Sequence, residues 1–171
     1  MKKKQENIIN IIYEIESAAK LYKEHLVGKQ FLYVFEGKYI EVIYKVQNFK
    51  HLTGVETSLS AKRFYHIAIN HMLQANQIYF TKKHPYDLCT KKIKHIKEVA
   101  LLAGSESFML EEITTNTRMY KFGTTDLKFS ICMNKETDEL GIEKGDCYVV
   151  QLYQPIIHGY FSKHQKFAGR N

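Results

Sequence analysis

The spacing of apolar residues changes period along this chain, and that change limits the fold more than any single motif. Ile8, Ile12, Ile15, Ala19, Tyr22 and Leu26 recur at three- and four-residue steps, with Ile11, Ala18 and Leu21 widening the stripe. Glu14, Glu16, Lys20, Lys23 and Glu24 fill the other side, and Gly28 follows. This is the pattern of an amphipathic helix that buries one face and is stopped by a glycine. The pattern then alternates. Gln30–Phe35 and Tyr39–Val46 are rich in β-branched and aromatic residues on either side of Glu36-Gly37-Lys38, which predicts a β-hairpin. In its second strand Ile40, Val42, Tyr44 and Val46 share one face.

After Asn48–Val55, a polar, glycine-containing connection, helical spacing returns. Ser58 or Ser60 is placed to cap a helix over Lys62–Leu73. Another helix starts after Pro85, with Leu88, Ile93, Ile96, Val99 and Ala100 in register and Gly104 at its end; a shorter one is expected over Ser107–Ile113. Strands are expected at Arg118–Phe122, Leu127–Met133 and Cys147–Tyr153, with a charged loop over Asn134–Asp146. Runs of helix and of strand, rather than regular βαβ alternation, predict an α+β fold. It has N-terminal helices and a mostly antiparallel sheet of about four to five strands.

At 171 residues the chain suits a single domain, residues 1–28 forming its first helix and 156–171 a loosely held basic tail. The 12 Tyr and 10 Phe supply enough ring surface to build a core without a staple. Cys89, Cys132 and Cys147 are too scattered for a disulfide framework and no two have metal-ligand spacing, so they are expected to be reduced. Lys2-Lys3-Lys4 is not followed by an apolar stretch, because Glu6, Asn7, Asn10, Glu14 and Glu16 interrupt it. A cytoplasmic protein without a membrane span is expected. Net charge is +7, from 22 Lys and 3 Arg against 18 acids, which favours a polyanionic partner such as RNA.

Several chemistries are missing. There is no phosphate-binding glycine loop, dinucleotide fingerprint, nucleophile elbow or HExxH helix, so no cofactor and no metal are expected. His66 and His71 are five apart and fall on different sides of a helix, and the four Asp are dispersed. What remains is His, Lys, Arg, Thr and Tyr chemistry, which suits RNA cleavage without a metal. The 2′-hydroxyl attacks the neighbouring phosphate, and the protein supplies a base, an acid and cations for the charge that develops.

The densest group of such residues is Lys50-His51-Leu52-Thr53-Gly54. His51 suits proton transfer, Lys50 a phosphate contact and Thr53 a hydrogen bond, while Gly54 lets a phosphate approach the backbone. A turn whose histidine merely caps backbone groups fits the same residues. Arg118, beside Tyr120 on a later strand, is a second candidate for phosphate, and a surface ion pair suits it equally well. Arg63 opens a helix, and Tyr153 on the last strand, with Gln151, could support a substrate. His25, His66, His84, His95, His158 and His164 suit ordinary surface or core positions. Lys91-Lys92-Ile93-Lys94-His95 suits a solvated helix face or, less readily, an RNA-backbone contact.

The order of hairpin, Asn48-Phe49-Lys50-His51-Leu52-Thr53-Gly54-Val55, and helix near Phe64-Tyr65 resembles the phage nucleases of the barnase–EndoU–colicin–RelE superfamily. The F-x-H-L-x-G element carries the detail, and residues 30–155 match in outline. The resemblance implies helices before a four-stranded antiparallel sheet and a metal-free ribonuclease activity of phage, mobile-element or toxin type. It places His51 in the active site, with Thr53 and Arg118. A toxin of this kind implies a protein antitoxin or inhibitor. The alternatives are a non-catalytic RNA-binding or phage accessory protein with the same fold, or an interaction protein that presents its aromatic strands.

Overall fold

The computed structural model describes residues 2–35, 38–102, 108–114, 119–125, 129–155 and 166–170. The chain forms two compact units that interleave in sequence. One comprises residues 1–27 and 46–101, the other residues 28–45 and 102–171.

The first unit is helical. Helix α1 runs over Lys2–His25, α2 over Asn48–Thr53, α3 over Ala61–Ile69 and α4 over Tyr86–Leu102, with a short 3-10 turn at Ala75–Gln77. Ile11, Ile15, Ala18, Ala19 and Tyr22 of α1, with Leu26 just beyond it, are its buried apolar residues, so the core face centres on the 11–15–18–22 row, one residue round from the 8–12–15–19 row. Tyr22 is the centre of an aromatic cluster. Its ring lies 5.2 Å from Phe49 of α2 and 6.2 Å from Tyr65 of α3, and Phe49 in turn stacks on Phe64 at 6.1 Å. Burying rings of this size contributes about 1.5–3 kcal/mol each. Two contacts fix α1 at its flank, the Glu14–Lys97 ion pair at 2.7 Å and the buried Glu16 carboxylate against His71 Nδ1 at 2.9 Å. His71 holds a left-handed backbone, φ 56°, just beyond α3.

Ser60, not Ser58, caps α3, its hydroxyl accepting from the Arg63 N–H. The stretch expected as a connection is the short helix α2. Phe49 and Leu52 are three apart and both fully buried, so one apolar face suffices to wind it.

The second unit is a sheet. Strands β1 (Gln30–Phe35) and β2 (Lys38–Ile43) form the predicted hairpin, with Ile40 and Val42 on the buried face and Tyr44 continuing it. Strands β3 (Phe108–Thr114), β4 (Met119–Thr125), β5 (Phe129–Thr137), β6 (Glu143–Pro155) and β7 (Lys166–Arg170) complete it in the order β1-β2-β6-β5-β4-β3-β7. Every pairing is antiparallel except β2 with β6. The α+β class and the mostly antiparallel sheet agree with expectation, but seven strands are present among the described residues where four to five were expected.

Two local differences account for the added strands, and a third lengthens two that were expected. The segment expected as a helix at Ser107–Ile113 is β3, paired along β4 from Phe108 to Thr114. The tail contributes β7, which pairs with β3. The charged loop shrinks because β5 and β6 extend to a hairpin closed by Asp138, whose carboxylate accepts from Leu140 and Ile142 N–H at 2.9 Å each.

Candidate active site

The site lies wholly in the helical unit and is built around the end of α2. Gly54 follows that helix with φ 71°, the left-handed conformation that ends a helix with least strain in glycine, and its N–H donates to the His51 carbonyl. Phe49 and Leu52 are turned into the core while His51 is exposed. Lys50 reaches across the next loop and donates to the carbonyls of Thr57, at 3.2 Å, and Leu59, at 2.9 Å. Two of its three N–H donors therefore brace the loop that carries Glu56.

Thr53 does not face a substrate. Its side chain is fully buried, its hydroxyl donates to the Lys50 carbonyl at 2.7 Å, and it accepts from the Val55 N–H at 3.3 Å. The catalytic contact expected of Thr53 is thus replaced by a structural one: it secures the turn from α2 into the loop.

Two further segments close on this turn. Glu56 bridges to Tyr79, whose N–H donates to the Glu56 carbonyl at 3.1 Å. His84 is fixed by a reciprocal turn with Thr81, and its Nδ1 lies 2.6 Å from Glu56 Oε1. Helix α4 begins beyond Pro85. On its first turn the Cys89 thiol donates to the Gly54 carbonyl at 3.3 Å. Burial pushes that thiol up to about 11, so it stays protonated near neutral pH.

Lys92, one turn further on, is buried, 6% exposed. Its stem lies against Gly54, close enough that a Cβ there would come within 2.9 Å of Lys92 Cδ and 3.6 Å of Nζ. The same two charges, Lys92 and Glu56, act on both His51 and Cys89. His51 is held below its ordinary value of 6.5, first by partial desolvation of its otherwise exposed side chain, then by the ammonium groups of Lys50 and Lys92, with Glu56 pulling the other way. An imidazole in that setting is neutral near pH 7 and can accept a proton.

Of the residues singled out from the sequence, Lys50 and His51 stand together on α2, and Arg63 is exposed on the first turn of α3 in the same unit. Tyr120, on β4 opposite Ile113, and Tyr153, on β6 opposite Ile131, belong to the sheet unit. Arg118 lies outside the described residues. Glu56 is not marked in the sequence, and His84 and Lys92 are not marked there as parts of one site. Lys92 looks like part of a solvated lysine run, yet it follows Cys89 by three and precedes Ile96 by four, which puts it on the buried stripe of α4, whereas Lys91 and Lys94 are exposed.

Among the described residues no three His, Cys, Asp or Glu side chains are grouped to hold a metal ion, and no helix is long and apolar enough to cross a membrane.

The family model described as phage-Barnase-EndoU-ColicinE5/D-RelE like nuclease 4 matches residues 14–151, most of the chain, including every residue of this cluster. No curated protein and no solved structure matches.

Proposed function

Because the chain belongs to the phage-Barnase-EndoU-ColicinE5/D-RelE like nuclease 4 family, we propose that it is a metal-independent endoribonuclease of phage or toxin type, acting in the cytoplasm. It cleaves RNA by attack of a 2′-hydroxyl on the adjacent phosphate. The observation that carries this reading is His51, an exposed imidazole kept in its neutral form beside Lys50 and the buried Lys92.

His51 takes the proton of the 2′-hydroxyl. The oxygen then bonds to phosphorus, and the negative charge that gathers on the phosphorane faces the ammonium groups of Lys92 and Lys50. A cation held in a buried position is costly to reorganise and so is already oriented when the charge develops. Thr53 and Gly54 set the position of His51 through the turn that ends α2. Arg63, exposed on the first turn of α3 in the same unit, supplies an outer phosphate contact. A protein antitoxin would silence the activity by covering the exposed His51.

The chemistry is tested with an oligoribonucleotide bearing a single 2′-deoxy nucleotide at the cleaved position. Internal attack requires that the deoxy substitution abolish cleavage there, and that unsubstituted RNA give 2′,3′-cyclic phosphate ends. Equal cleavage of the deoxy site contradicts it.

A further inference from the structure

Glu56 has a histidine on either side of it in the electrostatic sense: it acts on His51 and it is bonded to His84. The two rings are not held alike. His51 lies beside two ammonium groups, whereas His84 has a carboxylate in direct contact with Nδ1. Side chains of His84 and Glu56 are each about a third exposed, 28% and 33%, so the pair is neither sealed in the core nor freely solvated. With Nδ1 occupied, Nε2 is the nitrogen left for chemistry; one contact orients the ring and two more fix the backbone that carries it. Glu56 holds Nδ1, the Thr81 hydroxyl holds the backbone N–H at 3.0 Å, and the Thr81 N–H holds the His84 carbonyl at 3.1 Å. Carboxylate–imidazole pairing of this kind fixes a ring's tautomer and orientation.

We infer that His84, held by Glu56, is the general acid of the nuclease site whose base is His51; this rests on the reading of that site as a ribonuclease. The proton balance then closes. His51 removes the 2′-hydroxyl proton as the O2′–P bond forms. His84 Nε2–H delivers its proton to O5′ as the P–O5′ bond breaks, leaving a 2′,3′-cyclic phosphate and a 5′-hydroxyl. Glu56 is a positioning residue: it touches His84 and does not touch the reacting atoms. Two proton-transfer groups with opposite environments are what an internal transfer of this kind requires.

The discriminating experiment compares ordinary RNA with the same oligonucleotide carrying sulfur in place of the bridging 5′-oxygen. A thiolate leaves without protonation, so the sulfur substrate needs the base but not the acid. His84→Ala is expected to slow cleavage of ordinary RNA by about 10²–10⁴-fold and to cleave the sulfur substrate within about threefold of wild type. His51→Ala is slow on both. Glu56→Gln follows His84→Ala in the same direction with a smaller loss on the oxygen substrate.

A second readout uses only the wild-type protein and is independent of how the variants fold. The groups facing His84 are Glu56, at Nδ1, and Cys89, whose thiol lies 3.9 Å from the His84 carbonyl. The fall in rate on the alkaline side of the pH profile is expected with oxygen and absent with sulfur. Equal loss on both substrates in His84→Ala, no loss on either, or an alkaline fall that persists with sulfur overturns the assignment while leaving the ribonuclease standing. Wild-type protein that cleaves neither substrate overturns both.

Discussion

Lys92 and Gly54 occupy each other's space: the lysine stem fills the position where a side chain at residue 54 would begin, 2.9 Å from its Cδ. That contact joins α4 to the end of α2 and makes the glycine a requirement twice over, for its left-handed φ of 71° and for the room it leaves. Gly54→Ala is therefore expected to cost about 1–3 kcal/mol of stability and to displace Lys92. Thermal melts compared with Gly28→Ala check it. Gly28 also has positive φ, 77°, but nothing within 4 Å of its Cβ position, so the smaller loss belongs there.

Lys92→Met keeps the volume of the stem and removes the charge. Removing a single buried charge costs stability where its partner stays behind, so the variant is assayed well below its own melting temperature. The His51 titration, followed by NMR of its ring protons, moves up toward 6.5 because one of the two cations that depress it is gone. Cleavage falls by about 10²-fold, the scale of losing one preorganised charge contact. An unmoved titration contradicts the placement of Lys92 beside His51.

Thr53→Val separates structural from catalytic roles. The hydroxyl donates to Lys50 and accepts from Val55 in a fully buried place, so its loss costs about 1–3 kcal/mol. Turnover measured well below the melting temperature stays within about threefold of wild type, on the scale of a positioning effect rather than a lost proton-transfer group. Thr53→Ser restores stability.

These contacts also show what could be read in advance. The change of apolar period gave the helix before the hairpin, the hairpin itself and its buried face, because Ile40, Val42 and Tyr44 alternate without interruption. The segment over Phe108–Ile113 misled, since Phe108, Met109 and Leu110 run together and periodicity cannot separate a short apolar strand from a helix. His51 was legible because Lys, His, Thr and Gly stand together in sequence. Glu56, His84 and Lys92 come from a loop, a turn and a helix that meet only through tertiary structure, and no local spacing marks them as a set.

The depressed value of His51 sets its pH behaviour. The folded protein holds the neutral ring more strongly than the unfolded chain does, whose histidine titrates near 6.5. The stability this contributes is fully present above pH 6.5 and is lost as pH falls through the lower folded value. Activity that depends on neutral His51 is lost over the same window. His51→Gln is expected to flatten that part of the stability profile in denaturant titrations at pH 5 to pH 7, a window taken from the direction of the shift; an unchanged slope contradicts the partial desolvation of the ring beside Lys50 and Lys92.

His51, as proposed, cleaves RNA without a metal. Purified protein is incubated with labelled single-stranded RNA in excess EDTA, beside folded His51→Ala. Cleavage that persists in EDTA and falls by at least about 10²-fold in the variant is the predicted result. RNA left intact by the wild-type protein, or cut equally well by His51→Ala, contradicts it.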